Sequence, residues 1–429
     1  MNGMHAVASA ARLTSGFFGS TFRSLGGFNY RTFAAGALVS NVGTWMQRTA
    51  QDWVVLTQLT HHNATAVGIV SALQFGPQVL FLPVSGWAAD RFDRRKLLLT
   101  TQIAMGVLAL GLGALTLAGA VELWHVYGFA FLLGCVSAFD APARQTFVSE
   151  LVSEEHLPNA VALNSTSFNA ARMIGPAVAG VLIASIGSGW VFILNAASFA
   201  AVIGALSLLR KSELRRAERV SGGGAGLLEG FRYVWRRPDL RAVLVMIFLV
   251  GTFGLNFPIF LSAMSVGVFH AGADAYGLLT SMLAVGSVTG ALLAAKRARP
   301  RSELLHLGAM MFGAGCALAA IMPTYWSFGL ALVGVGVSAQ TFTTTVNSTM
   351  QLSTEPRMRG RVMAIFLAVA LGGTPIGAPF VGWVADTFGP RWSLAVCAVA
   401  GLAAALVGLR HASRAGAAST GGSPPASTA

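Results

Sequence analysis

Charged residues are scarce in this sequence. Only 10% of its 429 residues are Asp, Glu, Lys or Arg, whereas soluble domains carry about a quarter. Hydrophobic residues make up 54% of the chain, and the mean hydropathy is +0.65. This composition disfavours a water-soluble fold and indicates a protein that lies in a lipid bilayer.

Cysteines and the common catalytic motifs are also sparse or missing. The three cysteines, Cys135, Cys316 and Cys397, lie in apolar stretches without C-x-x-C spacing, so they predict neither a disulfide framework nor a metal site. No G-x-x-x-x-G-K-[ST], H-E-x-x-H or G-x-S-x-G motif occurs. We therefore expect a non-enzyme that binds no metal and no cofactor and does not use ATP.

Twelve apolar segments are present, each with about the 20 residues that a helix needs to cross a bilayer. The first six are 33–59, 66–89, 97–119, 123–143, 159–186 and 189–209, and the second six are 240–269, 275–295, 304–323, 326–352, 362–385 and 392–409. The sequence therefore predicts an all-α polytopic membrane protein, with one six-helix bundle at 31–210 and another at 240–411.

Three polar segments flank these bundles. Residues 1–30 are expected to form an arm on the side of the termini. Residues 211–239 are basic and end in an amphipathic piece around Phe231 and Trp235, which is typical of a linker at the membrane surface. Residues 412–429 are rich in Gly, Ser, Ala, Thr and Pro, so a disordered tail is expected there.

The basic residues are distributed unevenly between the two sides of the predicted membrane domain. Of the 29 Lys and Arg residues, 26 fall on the side that holds both termini, and only Arg391 falls on the other. The positive-inside rule then predicts that both termini are cytoplasmic. The net charge of +13 is explained by this topology, and a nucleic-acid partner is not expected.

The two sets of helices share a repeated pattern. The segment Gly175-Pro-Ala-Val-Ala-Gly180, followed by Gly187, recurs 202 residues later as Gly377-Ala-Pro-Phe-Val-Gly382, followed by Gly389. Two related bundles of six helices are the arrangement in which transporter halves rock about a central site.

The loop after the second predicted helix carries a recognisable motif. Its sequence, Gly86-Trp-Ala-Ala-Asp90-Arg91-Phe-Asp-Arg94-Arg95, resembles the loop Gly-x-Leu-Ala-Asp-Arg-x-Gly-Arg-Arg of the major facilitator superfamily, with Ala and Asp at two of its positions. An Asp at a helix end beside basic residues can form a latch between helices. Anchoring of the basic residues at the membrane surface would explain the same cluster.

A second resemblance concerns the exporters of this superfamily. Gly175, Pro176 and Gly180 resemble a Gly-Pro-x-x-Gly-Gly helix-packing motif, with Ala179 in place of one Gly. Together with Gly43-Thr-Trp-Met-Gln47 and Arg359-Gly-Arg-Val-Met363, the pattern is similar to the subgroup that contains the enterobactin exporter and macrolide efflux proteins.

The resemblance implies a monomeric, proton-coupled exporter of drug-like or siderophore-like small molecules in the inner membrane. In it, the motif loop would tie the cytoplasmic ends of the halves together in the outward-open state. An importer of a small nutrient would share the fold, and a non-transporting sensor is a further alternative.

Charged side chains within the predicted spans are candidates for function because they are expensive in lipid. Arg48 and Asp52 lie four residues apart on the first helix, and Asn41 and Trp45 continue the same face. The alternative to lining a cavity is that Arg48 and Asp52 neutralise each other near the outer surface. Arg172 on the fifth helix could bind substrate or form a structural lock with Asp52 or with Asp140.

Asp52 is the first candidate for a proton-coupling acid and Asp140 the second. Local pairing of Asp140 near the end of its helix, where Arg144 follows, is the alternative for that residue. Two deep arginines against one or two acids favour anionic or catechol-like substrates.

The second half contributes polar residues to the predicted pathway. Helical spacing places one stripe on a single face of the tenth helix, and Asn256 lies among aromatic residues of the seventh. Interhelical hydrogen bonding is the alternative for the stripe, but the resemblance favours cavity lining, because in the family this helix borders the central cavity. Core packing is the alternative for Asn256 and its aromatic neighbours. The stripe consists of Gln340, Thr344, Asn347 and Gln351.

Overall fold

The computed structural model describes residues 23–215, 227–295, 303–355 and 357–420, which are helical and contain no strand. The first half contains α1 Phe28–Val54, α2 Ala64–Leu80, α3 Leu82–Arg91, α4 Arg94–Leu117, α5 Leu123–Leu151, α6 Leu157–Ile186 and α7 Ser188–Leu208. The linker helix is α8 Leu227–Arg236. The second half contains α9 Pro238–Leu249, α10 Phe257–Gly267, α11 Ala273–Ala295, α12 Glu303–Ile321, α13 Tyr325–Leu352, α14 Arg359–Gly372, α15 Thr374–Phe388 and α16 Pro390–Thr420.

Ten helical spans in the described residues are long and apolar enough to cross a membrane. The other two of the twelve are α1 and the pair α2 and α3. The first of these is 27 residues long, but polar side chains lower its hydropathy. The second is interrupted at Phe81, and its apolar part, Ala64–Leu80, is shorter. The predicted all-α architecture of two six-helix sets is confirmed.

Three of the twelve spans are broken near their middles. The second span is broken at Phe81, and Pro83 opens its next helix. The seventh contains a π-helical turn at Val250–Gly254 before Pro258 restarts the helix, and the eleventh breaks at Gly373 before Pro375. Glycine and proline weaken the helical hydrogen-bond ladder, which explains why the breaks fall at these points.

Helix ends differ from the predicted ones at a few positions. The fourth span continues to Leu151 rather than to 143, because Pro142 is accommodated inside α5. The last helix continues to Thr420, so residues 412–420 are helical where the sequence predicted disorder. At the other end, α1 begins at Phe28, inside the predicted arm. The rest of the arm up to 22, the linker residues 216–226 and the tail from 421 lie outside the described residues.

Packing divides the helices into the two halves. In the first half α1 packs on α6 and α7, and α5 packs on α2 and α4. In the second half α12 packs on α13 and α16, and α11 packs on α13. The halves meet through α2 against α15 and through α6 against α11.

The glycine repeat forms equivalent contacts at both of these junctions. A Cβ added to Gly180 on α6 would lie 2.6 Å from the carbonyl oxygen of Ala273, and one added to Gly382 on α15 would lie 2.5 Å from that of Ala64. Real Cβ atoms do not approach backbone so closely, so these helices touch only because a side chain is missing. The repeat seen in the sequence thus marks the surfaces through which the halves meet.

Candidate substrate pathway

Among the described residues, the hydrogen bonds that join the helix ends of the two halves lie at one end of the molecule. We call the end with the start of α1 and the end of α16 the termini side, and the opposite end the distal side. At the distal side, Asp386 accepts hydrogen bonds from the backbone nitrogens of Ala64 (2.7 Å) and Thr65 (2.8 Å) and from the Thr65 hydroxyl (2.5 Å). Asp386 thus caps the amino terminus of α2 and joins the end of α15 to the start of this helix in the other half.

Contacts between the halves end near the middle of the spans. The Ser281 hydroxyl donates to the carbonyl of Met173 at 2.8 Å, and a Cβ on Gly372 would lie 3.6 Å from Val79. Beyond these points, towards the termini side, each described ion pair lies within one half or links α8 to the second half. The described hydrogen bonds between the halves therefore hold the distal side closed, and no described ion pair joins the halves at the termini side.

Three residues of the polar stripe predicted on the tenth span, Gln340, Thr344 and Asn347, line a cavity of about 250 Å³, whereas Gln351 lies outside it. Gln340 donates to the Thr344 hydroxyl at 3.1 Å, and Gln351 donates to the side-chain oxygen of Asn347 at 2.6 Å. The stripe satisfies part of its hydrogen-bonding capacity along its own helix and leaves the rest for the cavity. The lining residues are Gln340, Thr343, Thr344, Asn347 and Ser348.

Asn256 does not line that cavity. It is 3% exposed inside the second half, where its amide nitrogen donates to the carbonyl of Thr252 at 2.6 Å. Its side-chain oxygen has no hydrogen-bond partner among the described residues. The structure therefore places Asn256 at the broken part of the seventh span, as a buried group next to the helix break.

The polar faces of α1 have different partners. Gln47 accepts a hydrogen bond from Asn195 on α7 at 2.5 Å, and a Cβ on Gly43 would contact Ser198 and Asn195. This face is used for packing within the first half. Asn41, Trp45, Arg48 and Asp52 lie away from it, on the stripe predicted from the sequence.

Asp52 contacts the second half. Its carboxylate is 7% exposed and accepts a hydrogen bond from the Tyr276 hydroxyl on α11 at 3.3 Å. Trp53 stacks on the same tyrosine ring, with centroids 6.1 Å apart. Among the described residues, neither Arg48 nor Arg172 forms an ion pair within 4.0 Å of this carboxylate. Arg48 and Asp52 still interact electrostatically at longer range.

Both deep arginines instead lie against one aromatic side chain. The guanidinium carbon of Arg48 is 5.1 Å from the centre of the Trp45 ring, and that of Arg172 is 5.6 Å from it. The Trp45 backbone is held close to α6, because a Cβ on Gly175 would lie 2.6 Å from the Trp45 Cβ. Pro176 lies next to Gly175 inside the same helix.

Asp140 is the centre of a local network in the first half. Arg144 binds it through two nitrogens (3.0 and 3.1 Å), and Thr101 and Gln102 each donate to it at 2.7 Å. Arg144 also reaches the side-chain oxygen of Asn41 at 3.5 Å. The alternative of local pairing is confirmed, and Arg172 is not the partner of Asp140.

The motif loop also makes its described contacts within the first half. Arg94 pairs with Glu150 at 2.9 Å, and Arg95 donates to the carbonyls of Leu206 (2.7 Å) and Ser207 (3.2 Å). Arg91 is exposed and lies 5.9 Å from the Trp87 ring centre. A Cβ on Gly86 would meet nothing within 4 Å. The side chain of Asp90 lies outside the described residues.

Asp386 and Tyr276 are contact residues that the sequence reasoning did not select. A signal for Asp386 was available, because Gly382-Trp-Val-Ala-Asp386-Thr-Phe388 repeats the Gly-Trp-x-Ala-Asp-x-Phe pattern of the motif loop. The two copies stand at opposite ends of the molecule. A lone tyrosine near the start of an apolar helix, such as Tyr276, gives no comparable signal.

The chain resembles known proteins in family, sequence and structure. The model of a family described as transmembrane secretion effector matches residues 20–423. The staphyloferrin A transporter of Staphylococcus aureus is 25% identical over 361 residues, covering 83% of this chain and 89% of that protein. The enterobactin exporter of Shigella flexneri is 27% identical over 333 residues, covering 76% and 78%. The multidrug efflux pump Tap of Mycolicibacterium fortuitum is 26% identical over 367 residues, covering 82% and 88%.

Solved structures agree on the fold. A bacterial homologue of the human lysosomal transporter Spinster, in an inward-facing and unoccupied conformation, gives a TM-score of 0.66 at 16% identity and covers 90% of this chain and 96% of that one. A POT family transporter in complex with a thioalcohol-conjugated peptide gives 0.72 at 12% identity, with coverage of 90% and 96%.

Proposed function

Because the chain belongs to the transmembrane secretion effector family of the major facilitator superfamily, we propose that it is a proton-driven exporter of drug-like or siderophore-like small molecules. It would act as a monomer in the cytoplasmic membrane, with both termini in the cytoplasm. Relatives named as an enterobactin exporter and a multidrug efflux pump support this direction and these substrates.

The observation that carries the proposal is the one-sided closure of the two halves. With cytoplasmic termini, a structure that is closed at the distal side and open at the termini side is inward-facing. An exporter collects its substrate in this state, through the polar cavity on α13. Rocking of the halves would then open the distal junctions and close the termini side.

The coupling acid must change its contacts when the distal side opens. Asp52 meets this condition because its described hydrogen bond crosses to Tyr276 in the other half. Asp140 meets it less well, since its partners all lie in the first half and each of them donates to the carboxylate. We therefore assign the proton to Asp52.

The motif loop would act in the opposite state. When the termini side closes, Asp90, Arg91, Arg94 and Arg95 would approach the second half and tie the cytoplasmic ends together. Their contacts within the first half in the inward-facing structure fit a latch that is released.

The proposal is tested by proton-driven uptake of dyes and catecholates into everted vesicles, with and without an uncoupler. Wild type should accumulate at least one compound, and the uncoupler should abolish the accumulation. Asp52→Asn should lose this gradient-driven transport while being inserted at the normal level. Glu122→Gln is the matched control, because Glu122 is an acid on the distal side whose described bonds stay within the first half.

Each other outcome counts against a part of the proposal. Uncoupler-sensitive transport that survives in Asp52→Asn would remove the proton from that residue. Loss of compound from everted vesicles, or its accumulation by intact cells, would identify an importer. Transport that is insensitive to the uncoupler would exclude proton coupling.

A further inference from the structure

Arg48 and Arg172 are two cationic side chains in the first half whose nitrogens form no ion pair within 4.0 Å among the described residues. The Nε atom of Arg48 is also buried without a hydrogen-bond partner within the described part of the chain. The nearest acid along α1, Asp52, is bonded to Tyr276 instead. These three groups together carry an excess of one positive charge.

The surroundings of the two guanidiniums are aromatic. Arg48 lies 5.4 Å from the ring centre of Phe75 on α2 as well as 5.1 Å from that of Trp45. Phe168 on α6 meets the Trp45 ring edge to face, with centroids 5.8 Å apart. Trp45, Phe75 and Arg172 are each partly accessible, and Phe168 is 47% exposed. The cluster is therefore not sealed inside the packed core of the first half.

An unpaired cation inside the membrane is unfavourable unless an anion or water compensates for it. Cation–π contacts supply only part of that compensation. A guanidinium offers a planar fork of donors that suits carboxylate and similar oxyanions, and aromatic faces suit planar rings. A ligand that is both anionic and aromatic would complement both features of this cluster.

We propose that Arg48, Arg172 and Trp45, with Phe75 and Phe168, form the binding site for the anionic group of an aromatic substrate, an aryl carboxylate or catecholate. The oxyanion binds the two guanidiniums and the ring packs against the aromatic side chains. The biological role of this site rests on the proposed transport function, whereas ligand binding at the site can be measured without transport.

The test uses three probes that share one ring system and differ in charge: 2-naphthoate, 2-naphthamide and 2-naphthylmethylammonium. Binding to the purified full-length protein in nanodiscs is measured by equilibrium dialysis. Wild type should bind the anion roughly ten- to a hundredfold more tightly than the amide, as expected for hydrogen bonds to a charged group. The cation should bind more weakly than the amide.

Three variants locate the effect. Arg48→Gln and Arg172→Gln should each reduce the preference for naphthoate over naphthamide by roughly tenfold or more. Arg172→Lys keeps the charge and should restore part of the preference. Arg391→Gln is the matched control, because Arg391 donates to the carbonyl of Ala320 at the distal side of the second half, and it should bind like wild type.

Equal binding of anion and amide by wild type would overturn the inference, and so would an unchanged preference in both glutamine variants. If one glutamine variant does not fold, the other and Arg172→Lys decide the question on their own. Failure of proton-driven export in vesicles would leave this binding preference intact. Loss of the preference would leave export itself standing, so the two failures are distinguishable.

Discussion

Asp386 of the second half caps the first turn of α2 in the first half, 321 residues away along the chain. Its two carboxylate oxygens accept from two successive backbone nitrogens and one hydroxyl. A carboxylate at a helix amino terminus is favoured both by these donors and by the helix dipole. The cap is lost when the halves separate at the distal side, so it stabilises in particular the state that is closed at that side.

Removing this cap should open the distal side more often. Asp386→Ala should weaken the closed state by about 0.5–2 kcal/mol, the usual value of a helix cap, which is roughly a two- to thirtyfold change in population. A second cavity, of about 450 Å³, lies at the distal side and is lined by Leu56 and Asp386 among others. The readout is the labelling rate of Leu56→Cys, a position that is 1% exposed, with the three native cysteines replaced by alanine. Glu122→Ala is the control, and equal rates in both variants would contradict the role of Asp386.

A side chain at the glycine junction should act in the same direction. A valine at position 382 would meet the carbonyl of Ala64 and disfavour distal closure by about 1–3 kcal/mol, the usual cost of overpacking. Gly382→Val should therefore speed labelling of Leu56→Cys and slow transport. Gly204→Val provides the control, because a Cβ there meets nothing within 4 Å. Similar behaviour of the two valine variants would argue against a tight junction at Gly382.

The network around Asp140 should matter for stability. Asp140→Asn removes the charge that Arg144 binds and should destabilise the protein by about 1.5–3 kcal/mol, seen as a lower melting temperature in detergent. Adding Arg144→Gln should recover part of the loss, because the arginine is no longer left without its partner. Glu213→Gln should change little, since its pair with Arg210 is about half exposed. A melting temperature of Asp140→Asn equal to that of wild type would show that the network is dispensable.

The predicted orientation can be checked by labelling from each side. Ser348→Cys, in the polar cavity on α13, should react with a membrane-impermeant maleimide in everted vesicles. His62→Cys, in the exposed first loop of the distal side, should react in intact cells instead. Both positions are tested in the background without native cysteines. The reverse pattern would place the termini outside and would invert the assignment of the inward-facing state.

The spans could be predicted from sequence because hydropathy and length are local properties. The same holds for the pair of Asp140 and Arg144, which are one helical turn apart. The glycine repeat also marked equivalent positions, because Gly180 packs closely against Ala273 and Gly382 packs closely against Ala64, each in the other half. Each of these predictions uses information from a single helix or from the comparison of two similar helices.

Contacts between the halves could not be derived in that way. The partner of Asp52 is Tyr276, 224 residues away, and nothing in either segment specifies the other. Sequence spacing instead suggested Arg48, which is four residues from Asp52 but turns towards Trp45 and Phe75. For charged groups in lipid, the choice between a neighbour on the same helix and a partner on another depends on packing that only the folded bundle defines.

The polarity of α1 has a consequence for how the protein is made. A helix with Gln47, Arg48 and Asp52 in its second half partitions poorly into lipid by itself. Its polar groups find their partners on helices that are synthesised later, such as Asn195 on α7. The polar face of the first span therefore gains this partner only after the sixth span has been synthesised.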